Sequence, residues 1–184
     1  MLNLETLQQR ARDGEPLEYL YFWGHTPAKT GEIRQSCLSQ WYLAPFEIDG
    51  IVYPTAEHWL MASKARLFGD ETSLRQIIEA LDPKSVKELG RNVSNFDASA
   101  WESKRVEFAI EGNLAKFSQH QVLRSYLVAS EHKILVEASP VDTIWGIGLS
   151  ANDERAGSPL TWQGLNLLGF ALMEVRNHLS RIPQ

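Results

Sequence analysis

Apolar and polar residues change their spacing several times along this chain, and each change marks an element. Residues 1–18 read as a polar helix that ends near Gly14 and Pro16. Tyr19-Leu20-Tyr21-Phe22-Trp23 follows, a short aromatic run closed by Gly24 and therefore a strand. The polar stretch Thr26–Gln35, with Pro27 and Gly31, reads as a loop. Phe46-Glu47-Ile48 and Ile51-Val52-Tyr53 flank Asp49-Gly50, a pair that accepts the positive φ angles of a two-residue turn, and so predict a β-hairpin. Thr55 suits an N-cap, and the helix it opens runs to about Phe68, with Gly69 as its stop. Helical spacing continues over Thr72–Leu81 and again from Asp82-Pro83, an N-cap with proline at the first helical position, to Gly90. Ser99-Ala100-Trp101-Glu102 fits a capping box and opens a helix to about Phe117. A short helix over Gln121–Ala129, a strand over Lys133–Ala138, a strand or structured loop over Asp142–Gly148 and a closing helix over Asn166–Leu179 complete the pattern. Strands do not alternate with helices, so the fold class expected is α+β, a mainly helical single domain with a small antiparallel sheet.

Composition narrows the setting. The 184 residues fit one domain, with 43% hydrophobic and 22% charged positions typical of a globular protein. No apolar run reaches the length of a membrane span, and Met1 to Glu15 lacks the apolar core of a signal peptide. The single cysteine, Cys37, cannot form an intramolecular disulfide or a cysteine-based zinc site. A cytoplasmic protein is expected. The net charge of −5 argues against extended contact with nucleic acid but permits a small anion held by a few basic residues.

The candidate chemistry begins at Thr55–Ala65. Trp59, Leu60, Met61, Ala62 and Ala65 surround this helix with apolar groups, the pattern of a buried helix. Glu57 and Lys64, seven residues apart, then lie on one face, separated by roughly 10 Å along the axis. That spacing exceeds a simple ion pair and suits two groups converging on one ligand. Burial would shift both pKa values, as catalytic groups require. The plainer alternative is a Glu57 that only caps the helix and a Lys64 that reaches to solvent. Asp142-Thr143-Ile144-Trp145-Gly146-Ile147-Gly148 sets an acid beside a flat ring and backbone that a ligand can approach; a structural turn organised by Asp142 is the alternative. Trp101 and Arg105, one helical turn apart, suit a base and a phosphate, or simply a cation–π contact with each other. Arg91, Lys104 and Lys116 are further possible phosphate partners. The five histidines show no metal-ligand spacing, and no nucleotide-binding glycine loop or serine-hydrolase elbow is present, so no metal site or cofactor is assigned.

Several segments, taken in order, resemble the NADAR (YbiA-like) superfamily: Ser39–Phe46, Tyr53–Trp59, Ala62–Ala65, Trp101 with Arg105, Ala115–Phe117, Leu135–Ser139, Asp142–Gly148, Gly164–Gly169 and Leu172–Arg176. The resemblance spans about Tyr21 to Leu179, which sets residues 1–18 apart as a polar extension and residues 19–184 as the NADAR domain. It implies an N-glycosidase with a cleft for NAD-, ADP-ribose- or ribosylated-pyrimidine-like ligands. The substrates it implies are ADP-ribosylated guanine in nucleic acid or phosphorylated ribosylamino-pyrimidine intermediates of riboflavin biosynthesis. By motif position Glu57, Lys64 and Asp142 become the expected catalytic residues, with Trp145, Trp101, Arg105 and Asn166 as substrate-binding residues. A non-catalytic NAD or ADP-ribose sensor is the alternative from another class. The partner expected is a small phosphorylated riboside or ADP-ribose group, free or carried on nucleic acid.

Overall fold

The computed structural model describes residues 2–181. The chain forms two compact units, one built from its first 39 residues together with residues 122 onward, the other from Gln40–Gln121. Among the described residues there are seven α-helices and four strands. The helices are α1 Leu4–Arg12, α2 Ala56–Leu67, α3 Glu71–Glu79, α4 Pro83–Arg91, α5 Ala98–Gln119, α6 Gln121–Val128 and α7 Leu167–Ser180. The strands are β1 Tyr19–Phe22, β2 Phe46–Ile48, β3 Ile51–Tyr53 and β4 Ile134–Glu137.

In the second unit the predicted hairpin is present: β2 and β3 pair antiparallel, with Ile48 opposite Ile51. Asp49 and Gly50 both take positive φ, at 52° and 77°. Pairing ends at Tyr53, and α2 follows at once. Every residue from Ala56 to Ala65 is buried, as an all-round apolar pattern requires. The three helices α3, α4 and α5 pack around α2. Thr55 occupies the N-cap position of α2, but its side chain does not cap; its hydroxyl bonds His58 Nδ1 at 2.8 Å instead. His58 Nε2 lies 3.1 Å from the Ala80 carbonyl, so it must be the protonated nitrogen, and the neutral ring ties α2 to the end of α3. The N-cap expected at Ser99 lies two residues earlier: Asp97 accepts the Ala100 N–H at 2.7 Å, and α5 begins at Ala98. Asp82 and Pro83 open α4 as read.

The first unit holds a pairing that the order of elements did not announce. Strands β1 and β4 run parallel, Tyr19 opposite Ile134 and Phe22 opposite Glu137. Ile134, Leu135 and Val136 are all buried, the habit of a strand covered on both faces. Helix α7 packs on β4. Gly169 permits this: a Cβ there would lie 2.1 Å from the Leu135 carbonyl oxygen. The polar leading segment is ordered here, with Leu7 of α1 fully buried and Gln8 donating to the Pro159 carbonyl at 3.0 Å.

Candidate active site

In the second unit, α2 carries both groups singled out from its sequence. Glu57 stands in the first turn of α2 and is 6% exposed, too deep for a residue that merely decorates a helix end. Its backbone N–H donates to the Gln40 carbonyl at 3.0 Å. Lys64, two turns on, is 9% exposed. It does not reach solvent: Nζ donates to the Gly90 carbonyl of α4 at 2.7 Å. The amine also lies 4.3 Å from the centroid of the Phe96 ring and 5.6 Å from that of Trp101.

The balance of forces on that amine sets its character. One carbonyl and two ring faces favour the ammonium form, each ring by about 0.5–2 kcal/mol. Removing an ammonium from water costs several kcal/mol, and among the described residues no carboxylate pairs with Lys64. Desolvation wins, and burial holds the Lys64 amine below the ordinary lysine value. Burial thus moves the amine toward its neutral form, the form in which a lysine can act as a nucleophile.

Trp101 and Arg105 share one face of α5, as their spacing required. The cation over the Trp101 ring is Lys64 rather than Arg105. The Arg105 side chain is 13% exposed, and its ion pair with the outer Glu102 is long, at 3.9 Å. A pair of that length with a solvent-facing carboxylate contributes about 0–1 kcal/mol. Arg105 Nε is buried without a hydrogen-bond partner. A guanidinium so weakly compensated is ready for an anion.

Phe96 escaped the sequence reading. It sits in a mostly polar stretch between α4 and α5, where a lone aromatic signals neither strand nor helix, and the residue is 47% exposed. Phe68 stacks edge-on against it, with centroids 5.3 Å apart. Asn95, at φ 56°, turns the chain into it. Asp70 anchors the same segment by accepting the Ser94 N–H at 2.8 Å while it caps α3 through Ser73. Those backbone N–H bonds hold the Asp70 carboxyl well below the usual carboxylate range. Arg91 and Lys104 lie on the outside, Lys104 paired with Glu107 at 2.8 Å, whereas Lys116 is fully buried near the Tyr42 and Phe117 rings.

In the first unit the remaining candidates share one framework. Residues 142–148 form a structured loop rather than a strand. Asp142 Oδ1 accepts the backbone N–H groups of Ile144 and Trp145 at 2.9 and 2.8 Å, so the carboxylate organises its own turn. Trp145 is half-buried, and its carbonyl accepts the Leu168 N–H at 3.1 Å. Asn166, fully buried at φ 54°, precedes α7. Its amide donates to the Leu135 carbonyl and accepts the Glu137 N–H, both at 2.9 Å. Both amide atoms are thus engaged with β4. Each atom keeps one further hydrogen-bonding position.

A mainly helical α+β chain with a central helix that buries an acid and an amine is a protein built for bond chemistry. The NADAR domain model matches residues 21–180, and the chain belongs to that family. The protein named N-glycosidase R617 of Acanthamoeba polyphaga mimivirus is 38% identical over 164 residues, 86% of this chain and 95% of that protein. The protein named N-glycosidase YbiA of Escherichia coli (strain K12) is 33% identical over 136 residues, 74% of this chain and 76% of that one. The NMR structure of the E. coli protein YbiA matches with a TM-score of 0.70 at 29% identity, covering 89% of this chain and 85% of that chain.

Proposed function

We propose that this protein hydrolyses the N-glycosidic bond of a 5-phosphorylated riboside, with Lys64 as the nucleophile. The reaction class follows from the family and from the relatives named N-glycosidase. The observation that carries the mechanism is the buried Lys64 amine, with a single carbonyl acceptor and a depressed pKa. Its neutral form attacks C1 of the sugar. The C1–N bond to the base breaks, the base leaves with a proton from a carboxylic acid, and the sugar remains as a ring-opened imine on Nζ. Water then adds to the imine, and the free sugar and the neutral amine are regenerated. Glu57 stabilises positive charge developing on the sugar and serves in the proton transfers. Arg105 takes a phosphate, and Trp101 offers its ring to the base or sugar.

From the first unit, Asp142 and Trp145 are proposed contributors on their motif positions, the acid in proton transfer and the ring in stacking. Asn166, whose backbone N–H donates to the Gly146 carbonyl of that loop at 3.1 Å, is a proposed substrate contact. The functional domain is taken as residues 19–184, with the preceding residues an addition to it, and the protein as cytoplasmic. The substrates proposed are ADP-ribosylated guanine in nucleic acid and a phosphorylated ribosylamino-pyrimidine of riboflavin biosynthesis.

Mass spectrometry of turnover on both substrates tests this reading, with Glu57→Gln and Lys64→Ala alongside. Release of ADP-ribose with restored guanine marks the first, and release of ribose 5-phosphate the second; both variants are expected to lose at least about 10²-fold. Borohydride added during turnover is expected to fix the sugar to Lys64. Intact ligand after prolonged incubation would instead describe a sensor.

A further inference from the structure

Beside Glu57 lies a pair of buried amides that the mechanism has not used. Gln40 is 7% exposed and Asn113 fully buried. Asn113 Nδ2 donates to the Ala109 carbonyl at 2.8 Å and to Gln40 Oε1 at 2.7 Å. The Ala109 carbonyl can only accept, so it settles which end of the Asn113 amide faces it. The bond from Asn113 then settles Gln40 in turn. The orientation of both amides follows, and it leaves two atoms over. Gln40 Nε2, a donor, and Asn113 Oδ1, an acceptor, are both buried with no hydrogen-bond partner.

Buried side-chain amides are nearly always satisfied, because desolvation without a partner is costly. An amide pair could close a second bond and become a cyclic dimer; this one does not. One donor and one acceptor left over call for a group that both accepts and donates, and a hydroxyl is the smallest that does. Gln40 is fixed against the catalytic helix by its own carbonyl, which accepts the Glu57 N–H at 3.0 Å.

We infer that Gln40 and Asn113 form a hydroxyl-reading subsite for the sugar, in which Gln40 Nε2 donates to the ribose 2-hydroxyl and that hydroxyl donates to Asn113 Oδ1. The 2-hydroxyl is the one next to C1, where Glu57 acts in the proposed reaction, and the inference rests on that reading for its choice of sugar. A ribose unit is thereby distinguished from a 2-deoxyribose unit. A 5-phosphorylated ribose is common to both proposed substrates, so the subsite serves either.

The test uses two probes, D-ribose 5-phosphate and 2-deoxy-D-ribose 5-phosphate, titrated into the full chain by calorimetry. The wild-type protein is expected to prefer ribose 5-phosphate by about 10- to 100-fold, the worth of one to two hydrogen bonds. Gln40→Met keeps the length of the side chain and removes both its N–H and its oxygen without adding charge; Gln40→Glu, read at pH 8, keeps the oxygen that Asn113 needs and replaces the donor by a charged acceptor. Both are expected to bring the preference within about threefold. Equal binding of the two sugars by the wild type, binding of neither, or an unchanged preference in both variants overturns the inference. Loss of thermal stability in the variants with the preference intact does so too, since the pair would then be structural only. If the preference holds and no riboside is cleaved, the subsite stands and the proposed reaction falls. Cleavage with no preference between the sugars gives the reverse.

Discussion

At the scale of single residues, burial of the Lys64 amine costs stability, and the proposed reaction gives that cost a use. The native pKa of this amine lies below the value of 10.5 it would have unfolded. Between the two values the unfolded chain binds more protons, so stability at this site rises with pH. The penalty is full below the native pKa and vanishes above the unfolded one. Lys64→Met is therefore expected to abolish turnover and to raise Tm, by about 2–4 °C for each kcal/mol gained. The gain should shrink as the pH of the melt climbs. A variant less stable than the wild type at every pH would show that the amine holds the fold together. Turnover in the wild type is expected to rise with pH through the native pKa, because only the neutral amine attacks. Asp142 calls for a different pair of changes. Asp142→Asn keeps Oδ1 for the Ile144 and Trp145 N–H groups and removes only the charge. It should melt like the wild type and lose about 10²-fold in turnover. Asp142→Ala should lose turnover and also about 1–3 kcal/mol of stability, as the turn loses its acceptor. Full activity in Asp142→Asn would leave that carboxylate a purely structural part.

At the scale of elements, the legible parts of the sequence were those with local causes. The β2–β3 hairpin follows from Asp49-Gly50, α4 from Asp82-Pro83, and the burial of α2 from its uniform apolarity. Glu57 and Lys64 were legible for the same reason, as polar groups in an apolar helix. What stayed hidden was set across long distances. Nothing near Phe96 reveals that Lys64 lies against its ring. The spare atoms of Gln40 and Asn113 emerge only once residues 73 positions apart are joined. The bonds from the Asn166 amide to β4 join residues 29 and 31 positions apart and were equally hidden. Gly169 belongs to the same joint. Gly169→Ala would press a methyl group against the Leu135 carbonyl and the Asn166 amide, at 2.1 and 2.5 Å. A loss of about 1–3 kcal/mol is expected in urea unfolding, with hydrogen exchange quickening at Glu137 N–H. An unchanged midpoint would mean that α7 can slide on β4 at little cost.

For the whole molecule, the chain visits its first unit twice, before residue 40 and after residue 121. No proline- or glycine-rich linker marks either crossing, which is why composition read as one domain. The second unit, by contrast, is one uninterrupted segment with its own hairpin and helices. A fragment of residues 40–121 is expected to show a helical circular dichroism spectrum and a cooperative melt. A fragment of residues 122–184 should show neither, since β4 there lacks β1. A fragment 40–121 without a cooperative transition would show that its core depends on the rest of the chain.

The parallel pairing of β1 with β4 has a consequence for how the protein is made. Tyr19 leaves the ribosome 115 residues before its partner Ile134. At about 5–20 residues per second, that is a delay of roughly 6–23 s. Throughout it, the aromatic strand Tyr19–Phe22 has no neighbour to pair with while residues 40–121 emerge and fold. The newborn chain is therefore most exposed to aggregation, and most in need of a chaperone, at its first strand.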